Sequence, residues 1–114
     1  MTRTLGPAEA DAEIAARGLA WRREGDMLVK QVDRGDFAGA LAYVNQVGAL
    51  AEQAGHHPDI DIRWGTVVLA LSTHSAGGLT ERDLSLAARV DALDPPVPPV
   101  PPDAPRQQGD ERTG

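Results

Sequence analysis

Proline placement sets the first boundary on what this chain can fold into. Seven of its nine prolines fall between Pro95 and Pro105. Proline has no N–H to give to a helix or a sheet ladder, and its ring blocks the regular helix. Residues 94–114 are therefore expected to form a disordered, solvated tail of polyproline-II character. Such a tail is either an inert terminus or a ligand for a proline-recognising partner. Folding falls to residues 1–93 of the 114, enough for one small domain.

Within that span the punctuation is regular. Residues 1–6 look frayed. Pro7, the acidic Glu9 and Asp11, and an alanine-rich run predict a helix over 7–17 that ends at Gly18. Residues 19–25 and 27–32 read as two short strands joined at Gly25-Asp26, with Trp21, Leu28 and Val32 as the buried side. Asp36 caps the next helix. Its apolar positions, Phe37, Ala40, Leu41, Val44, Val47, Leu50, Ala51 and Ala54, recur at helical spacing. Gly55 and Pro58 stop it. Ile60, Ile62 and Trp64 alternate with Asp61 and Arg63, which predicts a half-buried strand. Gly65-Thr66 is the expected turn, and 67–74 the return strand. Thr80 caps a last helix with Asp83 in the capping-box position, and Leu84, Ala87, Ala88 and Val90 form its inner face. The order α-β-β-α-β-β-α predicts an α+β fold with helices covering one face of an antiparallel sheet.

Composition excludes several function classes. There is no cysteine, hence no disulfide, no thiolate metal site and no cysteine nucleophile. The net charge is −6, and no basic stripe suited to phosphates is visible, which argues against nucleic-acid or anionic-membrane binding. The longest apolar run, 67–71, is far too short to span a membrane, and no secretory signal is evident. A cytoplasmic location is expected.

The chemistry-bearing residues are concentrated. All three histidines, His56, His57 and His74, fall within 19 residues. Alternation along 67–74 puts His74 on the wetter face with Ser72. Imidazoles at a wet sheet rim suit acid/base work, because histidine exchanges protons near neutral pH. An adjacent histidine pair alone is more often a surface or loop-anchoring feature. Three histidines and a water can also hold catalytic zinc. Adjacent residues usually point apart, however, and no carboxylate stands at a metal-motif spacing.

Glu52, three residues, His56-His57-Pro58, five residues, Trp64, nine residues, His74, eight residues and Asp83 resemble the signature of the pterin-4a-carbinolamine dehydratases. Ala42-Tyr43-Val44-Asn45, Leu71-Ser72-Thr73-His74 and the run from Gly78 to Leu84 are similar too, and the resemblance covers about residues 5–93. Gly55, Gly65 and Ser75 depart from the common pattern.

This resemblance implies a four-stranded antiparallel sheet with three helices on one side. It implies dehydration of 4a-hydroxytetrahydrobiopterin to the quinonoid dihydropterin, which recycles the pterin of an aromatic amino acid hydroxylase. No metal or other cofactor is expected. By the same resemblance His56 and His74 are the expected proton-transfer pair, and His57 positions the pterin and shares the acid role. Glu52 is expected to orient His56, and Asp83 to orient a histidine, cap the last helix, or both. Trp64, Ser72 and Thr73 are the expected substrate contacts. Members of the family form dimers and tetramers, and some act instead as transcription-factor dimerisation cofactors or in assembly of a carbon-fixing enzyme.

Overall fold

A computed structural model describes residues 3–93. The expected disordered tail at 94–114 lies outside the described residues. The elements are α1 (Pro7–Ala16), β1 (Arg22–Glu24), β2 (Met27–Asp33), α2 (Phe37–Ala54), β3 (Asp59–Arg63), β4 (Thr66–Leu71), a 3-10 turn (His74–Ala76) and α3 (Glu81–Asp91). The strands form one antiparallel sheet in the order β1-β2-β4-β3. The expected α-β-β-α-β-β-α order and fold class hold.

Strand register decides which side chains meet the helices. Leu28, Lys30 and Val32 of β2 stand opposite Leu71, Leu69 and Val67 of β4, and Ile60 and Ile62 of β3 stand opposite Leu69 and Val67. Directly paired residues share a face, and this row supplies the sheet's side of the core except at Ile60, which lies exposed on the edge strand. Ala40, Tyr43 and Val47 of α2 and Leu84, Leu86, Ala87 and Val90 of α3 close over it, with Ala10 of α1 at one side. The buried row of α2 also includes Ala51, whereas Phe37 and Leu41 are exposed. The apolar periodicity therefore placed the helix correctly but rotated its inner face by part of a turn. The same applies to α3, where Leu86 is buried and Ala88 is not.

Three local expectations change. Thr4 Oγ1 donates to the Ala76 carbonyl and the Leu5 N–H to the Leu79 carbonyl, so residues 3–6 are anchored rather than frayed. The β3–β4 turn is Trp64-Gly65, since Arg63 pairs with Thr66. A Cβ at Gly65 would lie 2.9 Å from the backbone at Gly35 and Asp36, so a glycine is needed there. Trp64, the other turn residue, takes the left-handed conformation, φ 55°, and is 73% exposed. Finally, β4 ends at Leu71, and His74 opens the 3-10 turn instead of closing the strand.

A charge lies in the core-facing row. Lys30 is buried and its Nζ donates to Asp91 Oδ1 at 2.9 Å. Asp91 also accepts from the Ala20 N–H and the Trp21 Nε1–H. This ties the end of α3 to the first hairpin. Removing either partner should destabilise the fold, because the other loses a charged hydrogen bond in a site largely closed to water.

A more exposed pair links α1 to the start of α3. Arg17 donates two hydrogen bonds to Glu81, and Ser85 adds one. Hydrogen bonding from Arg17 first and Ser85 second holds the Glu81 carboxyl at about 2, against an ordinary 4.5. A depressed carboxyl stabilises the fold above its unfolded value and loses that contribution as pH falls toward its folded value. Glu81→Gln should lower stability by about 0.5 kcal/mol at neutral pH, a value discounted for solvent screening. The gap in urea unfolding should shrink between pH 4.5 and 2. A gap independent of pH would contradict this assignment.

Candidate active site

The site is built where three chain segments end together. α2 stops at Gly55, which takes the left-handed cap conformation, φ 63°. The His56 N–H then returns to the Ala51 carbonyl, sealing the helix end. At the finish of β4, Thr73 and Gly78 exchange backbone hydrogen bonds and close a tight loop that carries His74. α3 begins beside both, capped by Thr80.

Asp83 joins the three segments. It is fully buried, in the first turn of α3. Its Oδ1 contacts His56 Nε2 at 2.5 Å. Its Oδ2 accepts from the Thr73 hydroxyl at 2.7 Å and from the Thr80 N–H at 2.9 Å. With its proton on Asp83, the Thr73 oxygen accepts from the Thr80 hydroxyl, 2.8 Å away. The Thr80 oxygen in turn accepts the Arg82 N–H. Every member of this chain is satisfied, and among the described residues no buried side-chain polar atom lacks a partner. Asp83 thus caps α3 and holds His56 with the same carboxylate. The His56 ring is 9% exposed. With Nε2 engaged by Asp83, Nδ1 is the nitrogen left for a ligand.

Glu52, expected to orient His56, pairs instead with His57, Nε2 to Oε2 at 2.5 Å. Helix geometry explains the change: His56 turns inward under the α2 cap, while His57 and Glu52 are exposed at 62% and 78%. The three histidines nevertheless line one open cleft, together with Gly55, Ser72, Thr73, Ser75 and Arg82. Ser72 and Thr73, two of the expected substrate contacts, line this cleft. Trp64 does not. It sits at the opposite end of the five-residue strand β3, roughly 17 Å away at about 3.3 Å per strand residue. The three imidazoles form no metal cluster: among the described residues no group of three or more His, Asp or Glu is placed to hold an ion.

Two residues gain importance from the structure. Thr80 extends the Asp83 network, although its sequence signal was only that of a helix cap. Arg82 lines the cleft and donates to the Gly55 carbonyl at 2.6 Å. In sequence it is indistinguishable from a solvated surface charge.

Replacing Asp83 by alanine removes the acceptor for the His56 ring, the Thr73 hydroxyl and the Thr80 N–H at once. Asp83→Ala should cost about 3 kcal/mol in denaturant unfolding, in keeping with buried donors left unpaired. Asp83→Asn, which keeps one acceptor, should cost less. Wild-type stability in Asp83→Ala would show the network to be idle.

Comparison with known proteins points to one family. The family described as Pterin 4 alpha carbinolamine dehydratase matches residues 3–93. A Nocardia farcinica protein provisionally named pterin-4-alpha-carbinolamine dehydratase is 56% identical over 73 residues, 64% of this chain and 77% of that protein. One from Chloroflexus aurantiacus, with the same provisional name, is 49% identical over 90 residues, 76% and 97% of the two chains. The crystal structure of a transcriptional coactivator/pterin dehydratase from Brucella melitensis superposes with a TM-score of 0.73 at 26% identity, covering 80% of this chain and 98% of that one. A pterin dehydratase-like protein described as a RuBisCO assembly factor in the alpha-carboxysome matches with a TM-score of 0.56 at 34% identity, over 68% and 92% of the chains. With a family match over the whole described domain and relatives about half identical in sequence, this chain belongs to the pterin-4a-carbinolamine dehydratase family.

Proposed function

We propose that this protein removes water from 4a-hydroxytetrahydrobiopterin by histidine acid/base catalysis. The observation that carries the reading is the convergence of His56, His57 and His74 on one cleft, with carboxylates on His56 and His57. The C4a–O bond breaks once its hydroxyl is protonated, so the oxygen leaves as water. The N5–H proton is removed, and the nitrogen's electron pair closes the C4a=N5 bond of the quinonoid dihydropterin. Two proton transfers balance this step. No electrons enter or leave, so no redox cofactor takes part.

His56 suits the base. Its Nε2–H points at the buried Asp83, which fixes the tautomer with Nδ1 free and stabilises the imidazolium that forms. His74, on the exposed turn, suits the acid because it can recharge from solvent. His57, held by Glu52, positions the pterin and shares the acid role, while Ser72 and Thr73 wall the cleft against the ring. The product returns to the pterin cycle of an aromatic amino acid hydroxylase in the cytoplasm. Purified protein should accelerate dehydration of the carbinolamine generated in situ, and His56→Ala/His74→Ala should lose about 100-fold or more while staying folded. No acceleration by folded wild type would defeat the reading.

Protein assembly on the same fold is the alternative, favoured by the descriptions of the two structural relatives and by exposed Phe37, Leu41 and Trp64. Such a role needs surfaces and not imidazoles, so it would survive in the double histidine variant. A homodimer or homotetramer formed through the outer face of α2 or the edge strands β1 and β3 fits these surfaces. Leu41→Glu should then lower the mass measured by light scattering. A monomeric wild type would exclude self-association.

A further inference from the structure

The first turn of α3 grips the end of α2 twice. Asp83 holds the ring of His56, and its neighbour Arg82 holds the backbone just before it. The Arg82 Nη2–H donates to the Gly55 carbonyl at 2.6 Å. That carbonyl belongs to the planar peptide joining Gly55 to His56. Gly55 is also the left-handed residue that sets the direction in which His56 and His57 leave the helix. Arg82 is at the same time a partition. With His56, it lines the histidine cleft on one side and a groove between α2 and α3 on the other.

Arg89 supplies an internal contrast. It lies on the same side of α3 and lines the same groove, but it donates to the side chain of Gln53 and does not border the cleft. An exposed arginine contact of that kind contributes little. What separates Arg82 is the group it fixes. The His56 ring has a buried anchor of its own. His57 has only Glu52, an exposed partner on the same rim. The position of His57 therefore depends on the backbone that precedes it.

We propose that Arg82 is a positioning residue for the histidine cleft, fixing the Gly55–His56 peptide so that His57 and His56 meet the substrate in register. Its kinetic consequence rests on the proposed dehydration, whereas its geometric consequence does not. A guanidinium suits the task because its planar donor fork holds one orientation, and a lysine ammonium could reach the same carbonyl with less directional control.

The test compares full-length wild type, Arg82→Gln, Arg82→Lys and Arg89→Gln. Each is measured for kcat and KM in the dehydration assay, for thermal midpoint, and for imidazole 1H–15N resonances. Arg82→Gln should lower kcat about 10- to 100-fold, the scale on which small misplacements act, with a smaller change in KM. The His57 resonances should shift or broaden more than those of His56. Arg82→Lys should recover part of the rate, and Arg89→Gln should match wild type throughout. If Arg82→Gln does not fold, the partial rate and ring spectra of Arg82→Lys carry the test. Ring spectra and kcat in Arg82→Gln that equal those of Arg89→Gln would overturn the proposal. Should wild type show no dehydration at all, the proposed reaction fails and the ring spectra decide alone. Shifted His57 resonances would then sustain the positioning role, and unshifted ones would end it.

Discussion

A carboxylate buried away from water has to be met by donors, and Asp83 finds them in three separate segments. The His56 ring comes from the link between α2 and β3, the Thr73 hydroxyl from the loop after β4, and the Thr80 N–H from the cap of α3. Each donor is positioned by its own local rule: the glycine stop of a helix, the end of a strand, a capping box. Their common acceptor converts three independent chain ends into one rigid corner. An unpaired buried charge would cost several kcal/mol, so the corner is hard to loosen one bond at a time. Fold and site are thus held by the same atom group.

A second buried charge does different work. Lys30 and Asp91 sit with Trp21 and Ala20 where the last helix meets the first hairpin, away from the cleft. Their pairing fixes how α3 lies across the sheet, which in turn sets where its first turn, with Arg82 and Asp83, meets α2. The two clusters pin opposite ends of α3, and Leu84, Leu86, Ala87 and Val90 fill the span between them. The helix that delivers the orienting groups is therefore fixed by polar contacts at both ends and by apolar packing along its length.

Much of this was legible in the sequence because it follows from local rules. Glycine stops, capping residues and apolar periodicity gave the element order and the end of α2 at Gly55. The spacing of Glu52, His56, His57, His74 and Asp83 marked the residues that converge or pair at the cleft. What stayed hidden depends on contacts between distant segments. Glu52 is one helical turn before His56, but only the inward turn at Gly55 decides that it faces His57. The need for glycine at position 65 follows from its approach to the loop before α2, a contact some thirty residues back in sequence. The anchoring of Thr4 and Leu5 needs the loop at Ala76 to Leu79. Arg82 looks like any surface arginine until its acceptor is known.

The central claim is that reduced pterin chemistry takes place between His56 and His74. The most direct measurement is a crystal structure with a dihydropterin that has no C4a hydroxyl and so cannot dehydrate. The account predicts the ring in the cleft bounded by Gly55, His57, Ser72 and Thr73, with its C4a–N5 edge between the imidazoles of His56 and His74. A pterin seated in the groove between α2 and α3, or anywhere else that leaves His56 and His74 untouched, would contradict it.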